Sequence, residues 1–278
     1  MPSPDGRITR RPAVRAALHS AVLASVAIGL AATGHAAPPQ CPQATTQHLT
    51  LPQTAAAVAE HKPITVVALG SSSTAGSGAS APDKAYPARL EALLRASWPN
   101  TEVRVVNAGI GGQKADEMAA RIEQDVLARH PVLVIWQAGA NEALQHMDVT
   151  RFHDAIGSGL ERLAASGADV VLMDNQLAPR IEQEPNNRAY DEALAHDAAR
   201  HHNALFSRLR LMRQWQAQGV DAAADGMVGP DGLHHTDRGY ACLANALGRA
   251  IVGAVAPQMA SAGLASAGWG GAGSRQPH

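Results

Sequence analysis

Apolar residues along this chain fall into short runs separated by stretches with helical spacing. Ile64 to Leu69 is a largely β-branched run that stops at Gly70, the pattern of a buried strand. Tyr86 to Ser97 has helical spacing, and Val103 to Val106 predicts a second strand closed by Asn107. Ala115 to Arg129 predicts one amphipathic helix, with Ile122 and Val126 on its apolar face and Pro131 beyond its end. Val132 to Trp136 reads as a third strand. Val149 to Ala165 reads as a helix closed by Gly167. Val170 to Met173 predicts a fourth strand, Asn186 to His202 a helix, and Ala204 to Phe206 a short fifth strand. Leu209 to Gln218 and Arg238 to Val255 complete the helices.

Strands that alternate with helices of this length imply a parallel sheet covered on both faces. The expected architecture is α/β, a three-layer α/β/α sandwich around a doubly wound parallel sheet of about five strands. In such sheets ligands bind beyond the carboxyl ends of the strands, so the loops there are the places to look for chemistry. The domain is expected over residues 63–256. Residues 37–62, rich in Pro, Gln and Thr, read as an N-terminal arm on the surface. Residues 257–278, mostly Gly, Ala and Ser, read as a flexible tail.

The start of the chain changes the setting. Arg7, Arg10, Arg11 and Arg15 precede an apolar run from Ala16 to Ala32, and Gly34-His35-Ala36 supplies small residues after it. This predicts a signal peptide over 1–36 with cleavage near Ala36, hence a periplasmic or secreted protein. The run falls short of the ~20 clean apolar residues of a bilayer span, so no stable membrane span is expected after cleavage. The 278 residues carry a formal net charge of -1, which gives no electrostatic footprint for a nucleic-acid partner. In an oxidising compartment Cys41 and Cys242 can form one bridge tying the arm to the last helix; the alternative is two free thiols.

Four loops remain. Gly70-Ser71-Ser72-Ser73-Thr74 follows the first strand, without the Gly-Lys-Ser/Thr ending of a phosphate loop or the glycine spacing of a dinucleotide site. Asn107-Ala108-Gly109-Ile110-Gly111-Gly112 follows the second, and Gly139-Ala140-Asn141-Glu142 comes just after the third. Each alone reads equally well as a turn or a helix cap. Asp231-Gly232-Leu233-His234 precedes the last helix. A carboxylate three residues before an imidazole in a turn can fold back onto the ring N–H, fixing the tautomer of a general base. His201-His202 and His234-His235 lack the Cys or Glu spacing of a zinc site, so no metal and no cofactor is expected.

Taken together, these blocks in this order resemble the SGNH (GDSL) hydrolase superfamily, over roughly residues 63–255. The resemblance implies a flavodoxin-like fold and a serine ester hydrolase. It assigns Ser72 as nucleophile, where the residues alone leave Ser71 and Ser73 open. It makes His234 the base and Asp231 its partner, with an oxyanion hole from Ser72, Gly112 and Asn141. Ser71 stands where the family motif has Asp, and Glu142 where Asp often follows the asparagine. Asn175, after the fourth strand, is a candidate substrate contact. The implied partner is a small-molecule, glycan or lipid ester, with short acyl groups favoured and acetylated glycans one of the substrate classes open to it. The alternatives are a lysophospholipase or thioesterase of the same superfamily, or a binding protein that keeps the fold without the chemistry.

Overall fold

The computed structural model describes residues 40–267, with side chains described to residue 256. The segment read as a signal peptide and the last part of the tail lie outside the described residues.

Five parallel strands form one sheet in the order β2-β1-β3-β4-β5. They are β1 (Ile64–Gly70), β2 (Val103–Gly109), β3 (Leu133–Gln137), β4 (Asp169–Met173) and β5 (Ala204–Phe206). The side-chain period of two divides each central strand between two cores. Val66, Ala68, Ile135, Val171 and Met173 face one side; Val67, Leu69, Val134, Trp136, Val170 and Leu172 face the other. The first layer holds α1 (Pro52–Ala59), α3 (Tyr86–Ser97), α9 (Arg208–Ala217) and α10 (Asp237–Ala267). The second holds α4 (Ala115–Ala120), α6 (Val149–Ala164) and α8 (Asn187–Arg200). The short helices α2 (Ser72–Ala75), α5 (Ala140–Leu144) and α7 (Pro179–Glu182) lie in loops that follow β1, β3 and β4. The strand order reverses between β1 and β3, so the crevice of a doubly wound sheet opens where those two strands end.

The structure departs from the sequence pattern in three places. Residues 40–62, the described part of the expected arm, are more than a surface segment. Here α1 starts with Pro at N1, and Leu51, Ala55 and Val58 enter the core. Asp169 accepts the Thr54 N–H at 2.7 Å and its hydroxyl at 2.8 Å, while Cys41 and Cys242 are disulfide-bonded. Second, the helix expected over 115–129 stops at Ala120 and continues as a π turn (Ile122–Val126) and a 3-10 turn (Leu127–Arg129). Arg121 sits at the break, and its guanidinium donates to the carbonyls of Gly70 at 3.2 Å and Ala108 at 2.8 Å, clamping the ends of β1 and β2. Third, α10 continues to Ala267, beyond the Val255 boundary. Its window Asp237–Ala256 is apolar enough to cross a bilayer, yet 61% of it is buried inside the fold, as in a core helix.

Candidate active site

The chain leaves β1 under tight steric control. A Cβ on Gly70 would stand 2.1 Å from the Thr74 hydroxyl, and one on Gly109 would stand 2.1 Å from the Ala75 nitrogen. Only glycine lets the ends of β1 and β2 close on α2 this way. The packing sorts the three serines. Ser71 and Ser73 are buried at 2% and 1% exposure, and Ser72 is only partly buried. Gln137, the last residue of β3, accepts the N–H and the hydroxyl of Ser71, both at 3.1 Å, and the Thr74 hydroxyl at 3.3 Å.

The Ser72 Oγ lies 2.7 Å from the His234 Nε2, and the His234 Nδ1 lies 2.6 Å from an Asp231 oxygen. The other Asp231 oxygen accepts the N–H groups of Leu233 and His234, both at 3.0 Å, which folds the carboxylate back over its own turn. Burial works against ionising Asp231, but the Leu233 N–H, the His234 ring and the His234 N–H together hold its carboxyl below the ordinary range. The Arg180 N–H donates to the Gly232 carbonyl at 3.0 Å and docks the turn on α7. With the ring proton on Nδ1, the Nε2 lone pair faces the serine hydroxyl. That arrangement can take a proton from the serine oxygen and return it to a leaving group.

The loops after β2 and β3 are knitted together beside this group. The Asn141 side chain donates to the Gln113 carbonyl at 2.8 Å, and Gln145 donates to the Gly112 carbonyl at 3.0 Å. Gly112 has a positive φ of 82°, and a Cβ on Gly111 would lie 3.8 Å from the Ser72 Cβ. Glu142 is buried beneath, accepting the Ala115 N–H at 2.5 Å and the Gly139 N–H at 2.8 Å. Burial lifts its carboxyl to about 7 against the pull of those N–H groups.

Two histidines and two further residues separate cleanly. His235 is buried, its Nδ1 3.0 Å from the Met227 carbonyl, and burial together with the nearby Arg208 charge pushes its ring down to about 3. It is neutral packing beside the His234 ring. Asp225 accepts the Asp221 N–H at 2.8 Å, away from His234. Asn175 does not stand where a substrate contact should. It is fully buried, and its side chain fills the space where a Cβ on Gly139 would go, 2.8 Å away. The next residue of that loop, Gln176, donates from its side chain to the Leu233 carbonyl at 2.9 Å, so the loop after β4 supports the turn that carries His234. Gln137 and Arg121 were not among the candidates from sequence. A polar residue closing an all-apolar strand was the available signal for Gln137.

Serine after β1, glycine after β2, asparagine after β3 and Asp-x-x-His before the last helix, all on one sheet edge, define the SGNH (GDSL) superfamily. The family model described as the non-GDSL lipase-like family matches residues 37–257, and the chain belongs to that family. An acetylxylan esterase from Geobacillus stearothermophilus is 30% identical over 134 residues, 44% of this chain and 61% of that protein. Esterase TesA from Pseudomonas aeruginosa is 29% identical over 136 residues, 48% of this chain and 62% of that protein. The matches thus span about three-fifths of these relatives. A crystal structure of a two-domain esterase active on acetylated mannans shares the fold at TM-score 0.64 and 21% identity, covering 75% of this chain and 55% of that one.

Proposed function

We propose that this chain is an exported serine ester hydrolase for short acyl esters, with acetylated glycans as its foremost substrate class. The observation that carries the reading is the 2.7 Å contact between the Ser72 Oγ and the His234 Nε2, with Asp231 2.6 Å behind the ring. Ser72 attacks the ester carbonyl as His234 takes its proton. The carbonyl oxygen, now negative, is held by the N–H groups of Ser72 and Gly112 and by the Asn141 amide. The C–O bond to the alcohol then breaks, and His234 gives its proton to the departing oxygen. Water, deprotonated by the same ring, attacks the acyl-serine and releases the acid. Asp231 stays ionised throughout, orienting the imidazole and balancing its charge.

The substrate class follows the names of the relatives, an acetylxylan esterase among them, and the fold shared with an esterase active on acetylated mannans. Export fits the basic start and apolar run of the first 36 residues and the Cys41–Cys242 bridge, a bond that persists in oxidising compartments. Acetate release from acetylated xylo- and manno-oligosaccharides, run beside p-nitrophenyl acetate, tests the reading. Release from both the glycans and the aryl ester is expected. A pure protein inert toward all of them overturns it.

A further inference from the structure

The Arg121 guanidinium donates four hydrogen bonds, and three of them end on the two loops around Ser72. It reaches the carbonyl of Gly70, two residues before Ser72, at 3.2 Å. It also reaches the Ala108 carbonyl at 2.8 Å and the Gln113 side-chain oxygen at 2.7 Å. Ala108 and Gln113 bracket Gly111, whose Cβ position lies 3.8 Å from the Ser72 Cβ. One cation therefore grips the start of the serine turn and both ends of the segment that approaches it. The fourth bond goes to Asp125 at 2.9 Å, inside the π turn. The helix gives way at this residue: α4 ends at Ala120 and the π turn begins at Ile122. Irregular turns of this kind inside a helix recur where a protein places a functional side chain.

We propose that Arg121 is a positioning residue for the reaction: it holds the Ser72 turn at a fixed distance from the 108–113 segment. The inference rests on the hydrolase reading above. It needs only Ser72 as nucleophile and holds whichever N–H groups face the carbonyl oxygen. An ester carbon must come within about 3–3.5 Å of the attacking oxygen, on the line of attack. Ser72 opens a helix of four residues, so its place is set by what grips the strand end before it. The Gly70 carbonyl at that end is gripped twice, by Arg121 and by the Ile110 N–H at 3.0 Å. A planar guanidinium binds several oxygens at fixed angles, which the single ammonium of lysine cannot copy. Without it the sheet still stands, because β1 and β2 pair over seven residues from Ile64 to Gly70. The two loops lose their tie, and misplacement there slows the attack more than it weakens binding.

The test is steady-state kinetics on p-nitrophenyl acetate, beside the rate of fluorophosphonate labelling, for full-length wild type, Arg121→Ala, Arg121→Lys and Gln113→Met. Arg121→Ala should lose about 10–100-fold in kcat with KM within about threefold, and labelling should slow in step with kcat. Arg121→Lys should fall between that variant and wild type. Gln113→Met releases one end of the segment only, so it should lose a smaller factor in kcat. It decides the matter if Arg121→Ala does not fold. Unchanged kcat in a folded Arg121→Ala or, failing that variant, in Gln113→Met overturns the inference and leaves the hydrolase reading intact. A loss confined to KM, or labelling as fast as in wild type, does the same. A wild type that neither hydrolyses the ester nor takes the label overturns both.

Discussion

The Gln137 amide oxygen accepts two hydrogen bonds from Ser71, one from its N–H and one from its hydroxyl, both at 3.1 Å. This pair explains how the loop tolerates serine where the family motif has an acidic residue. The strand end brings its own acceptor, so Ser71 need only donate. Replacing Gln137 with Leu keeps the volume and leaves buried donors unsatisfied, at about 1–3 kcal/mol for each. We expect Gln137→Leu to lower unfolding free energy by about 2–4 kcal/mol in urea titration and to reduce kcat as Ser72 loses its support. A variant as stable and as active as wild type would remove Gln137 from the account.

Glu142 makes the fold sensitive to pH. Burial raises its carboxyl from an ordinary 4.5 to about 7 in the folded protein. The folded state therefore holds this proton more tightly than the unfolded chain. The corresponding stability is fully present below the unfolded value and is lost as pH rises through the folded one. The loss amounts to about 3 kcal/mol across that window. Glu142→Gln removes the titration, so the stability difference between wild type and variant should move by that amount between about pH 4 and about pH 8. Denaturant unfolding at both pH values checks it; a difference that does not move contradicts it.

Asn141 has one amide contact in the structure, to the Gln113 carbonyl at 2.8 Å. If its remaining donor serves the oxyanion, Asn141→Ala should lower kcat by about 10²–10³ with the protein still folded. Steady-state kinetics beside circular dichroism reads both effects. An unchanged kcat would take Asn141 out of the oxyanion hole.

The Cys41–Cys242 bridge joins residues 201 apart in sequence. Closing so long a loop restricts the unfolded chain, and breaking it should cost about 2–5 kcal/mol. Cys41→Ser, or reduction, should lower Tm by roughly 5–15 °C, with ester hydrolysis at room temperature unchanged. Thermal melts with and without reductant decide the matter; coincident melts contradict a stabilising bridge.

Local features were the legible ones. Apolar runs bounded by Gly and Pro mark the strands, and the contact of Asp231 with His234 spans only three residues. What escaped reading depends on distant partners. Burial separates Ser72 from Ser71 and Ser73, and burial comes from packing that no serine announces; only the family resemblance chooses among them. Glu142 reaches Ala115 across 27 residues, so its place as a tie between two loops is invisible in either loop. Asn175 follows a strand, but a strand's end does not say which way the next loop turns. The helix α1 is hidden in a Pro-, Gln- and Thr-rich stretch, although Pro52 and the alanines after it suit a helix start.

Everything catalytic in this account passes through one oxygen, the Ser72 hydroxyl facing the imidazole. Mass spectrometric mapping of the fluorophosphonate adduct reads that oxygen directly. The adduct should fall on the peptide containing Ser72 and vanish in Ser72→Ala together with ester hydrolysis. An adduct that persists in Ser72→Ala, or maps to Ser71 or Ser73, would contradict it.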